Sequence, residues 1–156
     1  MLVIKSEIPL LNKQFRKIQN RLRREWPKLL QIVANKLKSL ATKAFTKLSR
    51  GGTAIGITWL ALNPKYLAWK RRQGYSTRIG IRKGVMRRSH RTLIRGIRQV
   101  TLEYEVRGSE GNYAIPFDER RELLPVNAPQ EWLDDIVPEM TEWANDIIDE
   151  ELGTLK

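Results

Sequence analysis

The chain has no cysteine and a single histidine, His90. Disulfides, thiolate catalysis and cysteine-based zinc sites are therefore excluded, and one imidazole leaves no histidine pair for a metal. No apolar run approaches the roughly 18 residues that a transmembrane helix needs. The opening MLVIKSEIPLL lacks the basic-then-apolar order and the small-residue cleavage site of a secretory leader, so a protein made and used in a cytoplasm is expected. Acid is scarce through the first two thirds, where Glu7, Glu25, Glu103 and Glu105 are the only carboxylates in residues 1–108.

What is present is cationic and unevenly placed. Residues 1–108 carry 26 basic against 4 acidic residues, a formal +22, while residues 109–156 carry 3 basic against 13 acidic, a formal −10. The excess of +12 favours a polyanionic partner, yet an acidic third would repel phosphates. Self-assembly, with the basic part of one copy beside the acidic part of the next, is the alternative. The plain alternative to both is that the charges are solvated helix faces. A length of 156 residues with 41% hydrophobic and 29% charged content predicts one globular domain over 1–156.

Hydrophobic spacing predicts an α+β fold, with long N-terminal and C-terminal helices packed with a small antiparallel sheet. Over 6–50, Ile8, Leu11, Phe15, Ile18, Leu22 and Trp26 recur at steps of three and four, and Leu30, Val33, Leu37, Leu40, Ala44 and Leu48 continue the stripe. Pro27 either kinks this helix or restarts it, and Arg50-Gly51-Gly52 ends it. Residues 52–117 predict strands with an inserted helix. Thr53, Ile55, Ile57 and Trp59 alternate as one strand, and Arg78–Arg82 forms another with a turn at Lys83-Gly84. Residues 97–107 form the clearest strand, with Val100, Leu102, Tyr104 and Val106 inward and Thr101, Glu103 and Glu105 outward. A turn over 108–112 and a short returning strand at Tyr113-Ala-Ile-Pro follow. The inserted helix, 63–72, opens with Asn63 as N-cap and Pro64 as first residue, and Gly74 ends it. The C-terminal helical region is 128–152. Leu133, Ile136, Val137, Met140, Trp143, Ala144, Ile147 and Ile148 lie on one side, and Asp135, Glu139, Glu142, Asp146 and Asp149 form an acidic stripe. Pro138 kinks it or begins a second helix.

Candidate chemistry is sparse. Ser89 and His90 are adjacent and would point apart, which does not suit a nucleophile and its base, so His90 is read as a packing or surface residue. Asp135 and Glu139 have helical spacing for a divalent ion, but no second carboxylate pair completes a cage. Gly74, Gly80 and Gly84 form no phosphate cradle. No enzyme activity, cofactor or metal is expected.

The stretch 59–89 carries Lys65, Lys70, Arg71, Arg72, Arg78, Arg82, Lys83, Arg87 and Arg88 with Tyr66, Trp69 and Tyr75, and no acid. Basic and aromatic residues together suit a nucleic acid, and they suit a protein interface equally well. Trp59 and Leu62 are expected to bury the base of the 63–72 helix, with Tyr66 and Trp69 packing one side. Lys65, Lys70, Arg71 and Arg72 then face a partner, and Trp69 adds an aromatic anchor. The acidic counterpart is Asp135, Glu139, Glu142 and Asp146.

The order of these pieces resembles the virion-morphogenesis or tail-completion proteins of Mu-like tailed bacteriophages. The matching positions are Gly56, Trp59, Leu62, Asn63, Pro64, Lys70, Arg71, Arg72, Gly74, Ile79, Ile81, Gly84 and Ser89. Lys83 stands where that family often has threonine. The resemblance implies a non-enzymatic subunit of a ring, commonly six-fold, at the junction of head and tail in the virion. Its partners would be copies of itself, the tail tube or sheath, and head-side neck or portal proteins, with DNA as a non-specific contact. The other expectation is a basic nucleic-acid-binding protein that places its arginine-rich helices and strands on phosphates. A cationic helix lying on a membrane is a third, weaker option.

Overall fold

The computed structural model describes residues 8–81, 86, 89–104, 107–108, 111–112, 121–125 and 127–153. Its elements are α1 (Ile8–Leu48), β1 (Gly52–Ala54), β2 (Ile57–Trp59), α2 (Pro64–Arg72), β3 (His90–Arg95), β4 (Gln99–Tyr104), β5 (Arg107–Gly108), β6 (Gly111–Asn112) and α3 (Gln130–Gly153). The class is α+β, with long helices near both ends of the chain. The described strands pair as separate two-stranded antiparallel hairpins, β1 with β2, β3 with β4 and β5 with β6, and form no common sheet. Among the described residues no helix is long and apolar enough to cross a membrane.

α1 is the spine. Its 41 residues run through Pro27 as a single helix, about 60 Å long at roughly 1.5 Å per residue. Pro27 removes one main-chain donor, at an exposed position of the helix. The buried surface of α1 is wider than one stripe, because elements pack on more than one side of it. Leu30, Leu40, Ala44 and Leu48 are buried as expected, and so are Leu29, Ala34, Ala41 and Phe45.

Two clusters lie along it. One joins Phe45 and Leu48 to Ala54, Ile57, Trp59, Ile79, Ile81, Met86 and Leu123. The other joins Leu40, Ala41 and Ala44 to Trp132 and Ile136 of α3. Ile55 packs against both. It occupies the turn between β1 and β2 with φ 52°, followed by Gly56 at φ 75°. Two successive positive φ values are those of a type I′ hairpin turn, and a β-branched residue there is under strain that its packing between the clusters offsets. The single strand expected over Thr53–Trp59 is therefore a hairpin. Period-two alternation runs on through a turn that has Ile where Asn is usual.

The β3/β4 hairpin lies lengthwise on α1. His90 and Tyr104 pack on Phe45, with ring centroids 5.9 and 6.2 Å from it. At the other end Trp26 Nε1 donates to the Ile97 carbonyl at 2.5 Å, in the turn Gly96–Arg98. The strand expected from 97 thus begins at Gln99, and its partner, His90–Arg95, carried no sequence signal. Glu103, expected outward, is part-buried and pairs across the strands with Arg91, while Thr101 is half-buried. The 107–112 hairpin closes where a turn was expected. The Lys83-Gly84 turn, the inward Val106 and the Tyr113 strand lie outside the described residues.

α3 is one helix through Pro138 and packs antiparallel on α1. Trp132 and Ile136 meet Leu40 and Ala44, Trp143 meets Trp26 edge to face at 6.2 Å, and Glu150 and Glu151 meet Arg21. Trp132, absent from the expected stripe, is 5% exposed, whereas Leu133 and Val137 are exposed. The core face is rotated by about one residue from the one expected.

Candidate partner interface

The cationic stretch is built on a rigid base. Trp59 ends β2 with 1% of its surface exposed. Its ring meets Phe45 edge to face, and its Nε1 donates to the Glu122 carbonyl at 2.9 Å. The 121–124 segment is held over it, with Arg121 donating to the Leu60 carbonyl at 2.7 Å. The chain then turns outward into α2. Asn63 caps it, its side-chain oxygen accepting from the Lys65 amide at 2.9 Å, and Pro64 fills the first turn where no donor is needed.

The other end closes as tightly. The Gly74 amide donates to the Arg71 carbonyl and the Tyr75 amide to the Lys70 carbonyl, which with Gly74 at φ 67° is a Schellman cap. Tyr66 stacks on Trp69 at 5.4 Å, and Trp69 leans on Tyr75 at 5.7 Å. This aromatic row stiffens α2. Tyr66 remains 48% exposed and Trp69 is half-buried.

Lys70 departs from expectation. It is 2% exposed, and its ammonium donates to the carbonyls of Arg78 at 2.6 Å and Ile81 at 2.8 Å. Burial pushes its pKa below the ordinary lysine value. Lys70 is therefore an internal clasp, not a partner contact. The expected strand over 78–82 is, through Ile81, a turn whose carbonyls are held by that clasp and whose Ile79 amide donates to the Ser49 carbonyl at 2.8 Å. Ile79 and Ile81 still reach the core. Lys65, Arg71 and Arg72 are exposed, so three of the four expected cations share one projecting helix.

The acidic set is likewise divided. Asp135, Glu142 and Asp146 are exposed, but Glu139 pairs with Lys36 of α1 in the same chain. Arg21 binds Glu150 and, at 3.0 Å, Glu151. The +22 and −10 regions thus meet partly inside one subunit. The structure does not bring Asp135, Glu142 and Asp146 to α2: they lie on α3, along α1.

Ser89 donates to the Met86 carbonyl at 2.7 Å, and His90 is 3% exposed against Tyr104 at 4.3 Å, a packing residue. Among the described residues no group of three or more His, Asp or Glu could hold a metal ion. An open groove of about 330 Å³ runs beside Thr42, Lys43, Thr46, Lys47 and Arg50, and both threonine hydroxyls donate to main-chain carbonyls one turn back. Comparison with protein-family models, curated proteins and solved structures finds no match.

Proposed function

We propose that this chain is a non-enzymatic structural subunit of a tailed-phage virion, assembling into a ring at the head-tail junction as a tail-completion, terminator or neck protein and joining tail to head. One observation carries the proposal. The described residues behind the resemblance form a single mechanical unit: Trp59 and Leu62 root α2, Asn63, Pro64 and Gly74 cap it, and Lys70 ties it to the turn bearing Ile79 and Ile81. Arg71 and Arg72 are left exposed at the end of a helix fixed at both ends. A rigid, projecting, cationic helix end is suited to seating on another protein, since little ordering entropy is lost on binding. The partners are further copies in a ring, commonly six-fold in the phage proteins it resembles, and the tail tube or sheath and head-side neck or portal proteins. Arg71→Glu with Arg72→Glu tests it: the protein folds, and particles made with it show separate heads and tails by electron microscopy. Folded double variant that yields complete virions overturns the assignment.

Nucleic-acid binding is the second reading, and a specific arrangement favours it. Lys13, Lys17, Arg24, Lys28 and Lys38 are exposed at helical spacing on one side of α1, and Lys43, Lys47 and Arg50 line the groove at its end. Part of the acid that would repel phosphates is engaged by Arg21 and Lys36.

A further inference from the structure

One side of α1 is polar for most of its length. Lys13, Lys17, Arg24, Lys28 and Lys38 are exposed there, and so are Asn20, Gln31 and Asn35, which fill the intervals between them. These positions follow one another at steps of three and four, which at about 100° per residue keeps them within about 80° of arc. Leu29 and Leu40, both buried, lie on the opposite side. The stripe itself carries no carboxylate. Glu25, at its edge, comes within 3.7 Å of Arg24 and 3.5 Å of Lys28 but is shared with Arg21, at 3.3 Å. Glu151, which lines a groove with Lys17 and Asn20, is likewise held by Arg21.

What the stripe lacks narrows the kind of polyanion it fits. A helix lying on a membrane inserts an apolar face, and along most of this stripe the opposite side is already packed in the core. Single strands are held by stacking their bases on aromatic rings, of which the stripe has none. The cations are also grouped. From the midpoint of Lys13 and Lys17 to that of Arg24 and Lys28 is roughly 16 Å along the helix axis, and to Lys38 roughly 34 Å. A rod laid along a DNA duplex crosses a phosphate strand twice in each turn of about 34 Å, on average every ~17 Å. The cation groups recur at that interval, and the amides stand between them.

We propose that this stripe lies lengthwise along one turn of a DNA duplex, its three cation groups meeting the two phosphate strands alternately and its amides standing over the grooves between crossings. The contact is with charge and shape, since phosphates carry no sequence information. It rests on the nucleic-acid reading given above, and names the form of nucleic acid and the way it lies.

Fluorescence anisotropy at about 0.1 M salt tests it, with labelled DNA stem-loops whose stems are about 6, 12 and 18 base pairs, one turn being about 10. Affinity per binding position rises about tenfold or more from the shortest stem to the middle one and then levels, because the shortest cannot reach all three cation groups. A single strand with as many phosphates binds more weakly. Lys13→Gln with Lys17→Gln shortens the reach and removes the step. Arg95→Gln with Arg98→Gln takes the same charge from exposed positions on the β3/β4 hairpin and keeps it. Thermal melting confirms that both variants fold. Affinity that grows smoothly with stem length, a single strand held as tightly as the duplex, or a step lost equally in the Arg95 and Arg98 variant overturns the lengthwise contact and leaves the nucleic-acid reading standing. Absence of binding to every DNA sinks both. Tighter binding to phosphatidylserine vesicles than to the duplex assigns the stripe to a membrane surface and overturns the contact as well.

Discussion

Phe45 and Trp59 meet edge to face, their centroids 5.2 Å apart and their planes at 87°. This contact joins the spine helix to the strand from which α2 projects. Trp59→Ala empties a site that is 1% exposed and removes the indole donor to the Glu122 carbonyl. A loss of about 3–5 kcal/mol is expected in denaturant unfolding. Trp59→Phe keeps much of the volume and loses less. An alanine variant that unfolds like the parent would place Trp59 outside the core.

Lys70 should behave oppositely to its neighbours. Lys70→Ala leaves the buried Ile81 carbonyl and the part-buried Arg78 carbonyl without this donor and costs about 1–3 kcal/mol. Arg71→Glu with Arg72→Glu alters only exposed charge and changes stability by less than about 0.5 kcal/mol. Thermal melting of the two proteins side by side decides this. Equal melting would deny the clasp.

At Gly56 the backbone has φ 75° and an added Cβ meets nothing within 4 Å. Gly56→Ala therefore suffers conformational strain without a clash, a cost of about 1–2 kcal/mol. Gly56→Asn, which tolerates the left-handed region, should lose less. An alanine variant as stable as the parent would mean the turn relaxes to another type.

Acid should weaken the Arg21 cluster. The Arg21 guanidinium, helped by Lys28, holds the Glu25 carboxyl below its ordinary value of 4.5. A folded pKa below the unfolded one means that the unfolded chain binds more protons. The stabilisation is present above 4.5 and is lost as pH falls through the lower folded value. Unfolding midpoints of Glu25→Gln should fall less steeply than the parent's below 4.5. Parallel curves would exclude the pair as a source of acid sensitivity.

If DNA contacts the exposed cations of α1, the affinity should be independent of sequence and fall with salt, by a log-log slope of about −0.9 for each phosphate neutralised. Fluorescence anisotropy with two unrelated duplexes at several salt concentrations measures it. Lys13→Gln with Lys17→Gln should lower the slope for both duplexes alike. Preference for one duplex at physiological salt would contradict a backbone-only contact.

The long helices were legible because their periodicity persists over many turns, and α2 was legible because Asn63, Pro64 and Gly74 are local signals with local causes. Hairpins were harder. The turn at Ile55-Gly56 lacks its usual residue, and HRTLIR has arginine at both ends of its apolar centre, so β3 became readable only through its pairing with β4. The burial of Lys70 is not legible, because its acceptors are main-chain carbonyls, which leave no trace in side-chain identity. The one available hint was position, since Lys70 follows the half-buried Leu67 by one turn. The acidic stripe is legible as helical, but a one-dimensional charge profile cannot show that Glu139 lies beside Lys36.

The antiparallel packing of α3 on α1 also sets a timetable. Arg21 and its partners Glu150 and Glu151 are separated by 129 and 130 residues, so during synthesis the spine emerges long before the helix that covers it. At about 5–20 residues per second, that interval is on the order of ten seconds. Throughout it, Leu40, Ala41 and Ala44 lack their α3 cover while attached to the ribosome, on a helix dense in positive charge. Like-charge repulsion between nascent chains then keeps neighbouring copies apart until each has made its own acidic helix.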